Sequence, residues 1–166
     1  MRQILEKCRS VEDAIDYLKN VPIMGRNNLT ITDINNNKVI FELGYENFGI
    51  INPDKSFVVS TNYQKSSVLN RYNTRNKEGT DESYRREEYV KQRLQNAKGL
   101  NPVLAMEIMR THNIPGHVCW HGGINNHTIA ATIYIFTKKG PSILHCHGYP
   151  CQETFDPIPF DLKKLK

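Results

Sequence analysis

Long hydrophobic runs are missing from this sequence. A membrane-crossing helix needs roughly 18 or more successive apolar residues, and no such stretch occurs. The segment from Met1 to Asn20 is charged throughout and lacks the apolar core of a secretory leader. With neither signal present, a cytoplasmic location and no membrane partner are expected. Cysteine is scarce, limited to Cys8, Cys119, Cys146 and Cys151. A short secreted scaffold would be denser in cysteine, so these residues are expected as reduced thiols. A concentrated basic stripe is also missing. The formal net charge is +5, but Lys and Arg are dispersed. The densest pairs, Arg85-Arg86 and Lys163-Lys164, have acidic neighbours or lie at a terminus. Nucleic-acid surfaces cluster basic residues with aromatics, so no nucleic-acid partner is expected. There are no repeats and no low-complexity linker.

What remains has the composition of a globular protein. The chain has 166 residues, 39% hydrophobic and 23% charged. That suits a single domain spanning residues 1–166, long enough to bury a core.

Along the chain, Ile4, Leu5, Cys8, Val11, Ala14, Ile15 and Leu18 recur at helical spacing. Ser10 followed by Asp13 reads as a capping pair that divides this stretch into two short helices, closed by Pro22. Residues 28 to 61 read as β-structure. Leu29 to Thr32 alternates apolar and polar, and Asn35-Asn36-Asn37 forms a turn. Val39 to Leu43, Phe48 to Ile51 and Phe57 to Thr61 then supply three further strands, with Asn52-Pro53-Asp54 as the last turn. Residues 64 to 80 are polar and read as a surface loop. A helix is expected from Asp81 to Ala97. A second is capped by Asn101 with Pro102 in its first position. A glycine-bearing loop from His112 to Asn126 precedes strands at Thr128–Thr137 and Ser142–His147, joined by Lys138-Lys139-Gly140-Pro141. The tail after Pro150 is expected to be irregular. Strands and helices come in runs rather than in βαβ alternation. This indicates an α+β fold with one antiparallel sheet of about five to seven strands and helices on one face.

Three constellations carry chemistry. Cysteine and histidine gather in His145-Cys146-His147 and Cys151, with Cys119 and His121 upstream, and four such donors would close a tetrahedral zinc site. The spacing fits no standard zinc finger or ribbon. On a strand, Cys146 also faces away from its flanking histidines. The cluster is therefore read as structural, with neither metal nor cofactor expected. Second, Asn62 follows an apolar strand, where its amide would be well placed to donate to a developing oxyanion. Read locally, it simply turns the chain. Third, Ser83-Tyr84-Arg85-Arg86 is placed at a helix start. Two cations there sit mildly against the helix dipole, a hint of a carboxylate partner. Without such a partner the segment is a solvated helical face.

Taken in order, these segments resemble a known family. The leading helical stretch Arg2 to Ile15 comes first, then Asn28-Leu29-Thr30-Ile31-Thr32-Asp33, Phe41-Glu42 and Thr61-Asn62-Tyr63. Ser83 with Arg86 follows, then Cys119, the strand around Thr128, and Gly148-Tyr149-Pro150-Cys151. The set resembles the C-terminal part of the acyl-coenzyme A:6-aminopenicillanic acid acyltransferase family, cysteine-type N-terminal-nucleophile hydrolases. Choloylglycine hydrolases and penicillin V acylases look like more distant relatives. The resemblance implies part of an αββα sandwich. Its catalytic cysteine becomes N-terminal by self-cleavage and uses its own α-amine as base. It further implies Asn62 as the oxyanion donor, with Tyr63 replacing the usual third residue, and Ser83 and Arg86 as supports of the site. Cys8, Cys119, Cys146 and Cys151 match positions that are not nucleophiles in the family.

The expectation is thus the C-terminal portion of an amide hydrolase or acyltransferase acting on a small-molecule amide or acyl substrate. It would be inactive alone and completed by a missing N-terminal segment or subunit that carries the cysteine. The sheet face left exposed would drive homo-oligomerisation. Two other readings stand beside it: a non-catalytic binding or assembly protein that keeps the fold, and a small zinc-binding domain.

Overall fold

A computed structural model describes residues 2–22, 25–53, 56–73, 77–121, 127–138 and 140–159. The chain divides into two compact units, Met1–Glu88 and Tyr89–Lys166. The fold is mixed helix and antiparallel sheet, as the element order predicts.

The first unit opens with two short helices, α1 (Arg2–Lys7) and α2 (Val11–Lys19). The break between them is the predicted one: the Ser10 hydroxyl accepts the Asp13 backbone N–H at 3.0 Å, satisfying an otherwise orphaned helix-start donor. Helix α2 buries Val11, Ala14 and Leu18, a stripe at helical spacing. That stripe meets a three-stranded sheet of β1 (Asn27–Thr32), β2 (Lys38–Leu43) and β3 (Phe48–Ile51), in that order and antiparallel throughout. Leu18, Leu29 and Phe41 form the centre of the core, with Ile4, Ile15, Val21, Ile31 and Leu43 packed around them. Phe41 stacks on Phe48 at 5.2 Å between ring centres. The β1–β2 turn is held by Asp33, whose carboxylate accepts the backbone N–H groups of Val11, Asn35 and Asn37 and the Asn37 amide. Asn36 takes a positive φ of 64° there, a conformation asparagine tolerates. Burial opposes ionisation of Asp33, but these hydrogen bonds outweigh it and hold the carboxyl below its ordinary value.

Residues Phe57–Thr61 join no strand ladder among the described residues. β-propensity alone does not supply a partner edge, and the run lies half-buried without one. A 3-10 turn at Asn70–Tyr72 precedes α3 (Lys77–Gln95), which begins four residues before the predicted Asp81. Apolar periodicity locates only the part of a helix that faces a core. The polar first turn gave no such signal. Arg85 and Arg86 are therefore more than two turns inside α3, so no unfavourable encounter with the helix dipole arises.

In the second unit, α4 (Pro102–Met109) is capped as expected, the Asn101 side chain accepting the Leu104 N–H at 2.9 Å. A separate antiparallel sheet runs β4 (Ala130–Thr137), β5 (Gly140–His147), β6 (Asp156–Ile158). The described residues thus form two three-stranded sheets in place of one larger sheet. The tail expected to be irregular supplies an edge strand. Pro157 is tolerated there because an edge strand need not donate on both sides. Ile133 and Cys146 are buried, while Tyr134 and Phe136 of β4 are exposed. No described helix is long and apolar enough to cross a membrane.

Candidate functional site

Asn62 is exposed at the rim of a groove of about 310 Å³ in the first unit. Arg26, Asn28, Thr30, Ser60 and Asn73 also line it. The predicted anchor for Asn62 was the apolar run Phe57–Val59, but that run makes no ladder among the described residues. Polar side chains fix the segment instead. The Asn28 amide donates to the Thr61 carbonyl at 2.8 Å and to the Tyr63 carbonyl at 2.7 Å, so one side chain of β1 grips the backbone on both sides of Asn62. The Thr61 hydroxyl donates to the Ser83 carbonyl at 2.9 Å. Asn73 holds Gln64 twice, accepting from its N–H and donating to its carbonyl. Glu42 accepts the N–H groups of Lys65 at 2.6 Å and Ser66 at 2.9 Å. Lys65 in turn pairs with buried Glu87 at 3.0 Å and donates to the Val59 carbonyl. From Thr61 to Ser66 the chain is irregular yet clamped by side chains of β1, β2, α3 and Asn73.

Ser83 is buried and acts through its backbone carbonyl. Arg86 is half-buried on α3, whereas Arg85 is exposed. Neither is among the lining residues, and Arg26 is the cation placed there. The structure therefore brings Asn62 and Ser83 together through Thr61, and leaves Arg86 off the groove. Tyr63 is half-buried, and burial together with the Glu87 carboxylate pushes its phenol well above the ordinary value.

Sequence reading missed Glu42 and Asn28 as positioning residues. Glu42 announced itself, since it is a carboxylate inside the apolar run Val39-Ile40-Phe41-Glu42-Leu43. A buried charge must find donors. It is fully buried, and two backbone N–H groups satisfy it.

The second unit holds a different cluster. His112, Cys119, His121 and Cys151 bring one donor atom each within 4.8 Å of one another. His145 bonds Thr132 instead, and Cys146 is buried on β5. The expected cluster already held Cys119, His121 and Cys151; the alternation on the strand sets aside only His145-Cys146-His147, and His112 is the donor that the sequence reading did not name. All four cysteines are free thiols. Burial pushes the Cys119 thiol up to about 11 and raises those of Cys8 and Cys146. Burial, and then His112 and His117, lower the His121 imidazole.

Comparison with known families gives a match over most of the chain. The family model described as acyl-coenzyme A:6-aminopenicillanic acid acyl-transferase covers residues 1–144. Searches of curated proteins and of solved structures returned no match.

Proposed function

The chain belongs to the acyl-coenzyme A:6-aminopenicillanic acid acyl-transferase family, which implies an acyltransferase- or hydrolase-like function, and from that premise we propose that it supplies the oxyanion side of an acyl-transfer site. In this reading Asn62 donates its amide to the oxygen of a small-molecule amide or acyl substrate. Thr61, Ser83 and Asn28 position it. The helices and antiparallel sheets contribute elements of an αββα sandwich.

The observation that carries the proposal is the grip on Asn62. Acyl transfer builds negative charge on a carbonyl oxygen, and a donor helps only if it is already in place when that charge develops. Asn62 lines a groove, and the carbonyls on either side of it are tied down by one amide. The nucleophile is assigned to an N-terminal cysteine supplied from outside these residues. Cys8, Cys119, Cys146 and Cys151 all lie within the chain. In the family chemistry the attacking thiol gives its proton to the α-amine of its own residue, which none of these mid-chain cysteines possesses. Arg86 has no role at the groove in this reading.

The test is reconstitution. The chain is combined with a nucleophile-bearing front segment of the family and assayed for amide hydrolysis. Asn62→Ala should lower turnover about 100-fold or more, the usual effect of losing one oxyanion donor, with circular dichroism unchanged. Full activity in that variant would refute the role of Asn62. Full activity of the isolated chain would refute the external nucleophile.

A further inference from the structure

We propose that His112, Cys119, His121 and Cys151 form a structural zinc site within the second unit. The inference is independent of the reading of Asn62.

Two thiols and two imidazoles are a donor set that zinc takes in closed tetrahedral sites. Here they come from three separate places in the chain. His112 follows α4, Cys119 and His121 lie in the loop beyond it, and Cys151 follows β5. The segments that carry them are tied to one another by hydrogen bonds. The Cys119 N–H donates to the Thr111 carbonyl at 2.9 Å, and the Val118 N–H donates to the Thr111 hydroxyl at 3.0 Å. Trp120 and Thr128 exchange two hydrogen bonds. On the other side, Gly148 donates to the Ile129 carbonyl, and Gln152 and Glu153 both donate to the Tyr149 carbonyl, closing the turn that carries Cys151. Arg110 reaches the Pro150 carbonyl at 3.2 Å and joins this turn to the end of α4.

The second observation concerns ring orientation. His112 Nδ1 lies 3.1 Å from the Cys119 carbonyl oxygen. This contact places the proton on Nδ1 and leaves Nε2 as the lone-pair nitrogen. Metal-bound histidines are held in this way, the second ring nitrogen donating to a carbonyl or carboxylate. His121 is stacked on His112 at 3.9 Å and 3° and on Tyr149 at 4.4 Å, with Nε2 2.9 Å from Cys151 Sγ; because an imidazole binds metal in its own ring plane, one of the two stacked histidines turns out of the stack when both take the same ion. Donor atoms around tetrahedral zinc lie about 3.3–3.8 Å apart, given bond lengths of about 2.0–2.3 Å. The widest pair, at most 4.8 Å, draws in by about 1 Å, and the His121–Cys151 pair opens slightly. All four positions are filled by protein, so the ion would brace the fold rather than activate water.

The test uses the full chain, reduced and stripped with a chelator, then titrated with cobalt(II) as a spectroscopic stand-in for zinc. One equivalent should bind and give the intense visible bands of a tetrahedral ion with thiolate charge transfer. Zinc should then displace the cobalt. Loss of an outer hydrogen-bond partner alone weakens metal affinity 10–100-fold, so Cys151→Ser and His121→Ala should each weaken it by at least about 100-fold. Cys8→Ser and His145→Ala should leave affinity unchanged, which separates this set from the strand triplet. The wild-type titration guards against a variant that fails to fold. A reduced wild-type chain that takes up no cobalt, or a folded Cys119→Ser/Cys151→Ser double variant that binds it undiminished, would overturn the proposal.

Discussion

Replacing Asn28 tests whether one amide holds the Asn62 segment. In Asn28→Ala, two hydrogen bonds disappear, those to the carbonyls of Thr61 and Tyr63. A typical intramolecular hydrogen bond contributes about 1 kcal/mol net, so the gross loss is about 2 kcal/mol. Part of it is returned. The Asn28 Oδ1 is buried without a hydrogen-bond partner among the described residues, and truncation removes that cost too, leaving a net loss of about 1 kcal/mol. Asn28→Asp keeps the shape but replaces the donor with an acceptor facing two carbonyls. It should cost about 2–4 kcal/mol at pH 7, below the full penalty of an unpaired buried charge because the site is only half-buried. The introduced carboxyl has a raised pKa in the folded state, so its penalty grows with pH and fades as the group is protonated in acid. Urea denaturation followed by circular dichroism, from pH 4 to pH 8, reads both effects. Hydrogen exchange at residues 61–66 shows whether the loss is local. If the two variants are equally stable at pH 7, or their difference does not change with pH, the amide is not gripping the segment.

Gly49→Ala places a methyl carbon 2.2 Å from Ser66 Oγ and 2.5 Å from Ser66 Cβ. The resulting overpacking should cost about 1–3 kcal/mol in thermal or urea unfolding, largely recovered in a Gly49→Ala/Ser66→Gly double variant. Asp33 titrates below its ordinary 3.8 in the folded protein. It therefore contributes stability above that value and loses it as pH falls through the folded pKa. Wild type and Asp33→Asn should accordingly converge in stability in strong acid, and a gap that widened there would contradict the hydrogen-bonded turn.

Local chemistry was legible in the sequence, and long-range polar contact was not. The caps at Ser10 and Asn101, the asparagine turn and the first three strands all depend on neighbours a few residues away. The Phe57–Thr61 segment has strand composition, but pairing needs an open edge, which no single segment reveals. The polar start of α3 and the strand at Asp156–Ile158 lacked the apolar rhythm that marks such elements. At the candidate site, Asn62 could be singled out by residue type and order. What fixes it could not: Asn28 lies 33 residues from Thr61, and Glu42 lies 24 from Ser66. The histidine–cysteine cluster shows the same limit. His145, Cys146 and His147 drew attention because they are adjacent in sequence, whereas His121 meets Cys151 across 30 residues.

The two rims of the second sheet are not equivalent. Among the described residues, strand β6 ends one side and carries Pro157, which has no amide hydrogen to offer an incoming chain. Among the described residues, β4 pairs only with β5 and displays Tyr134 and Phe136 to solvent. Any growth by strand addition is thereby directional. Two copies meeting through β4 about a twofold axis would make a six-stranded ribbon with a proline guarding each outer rim.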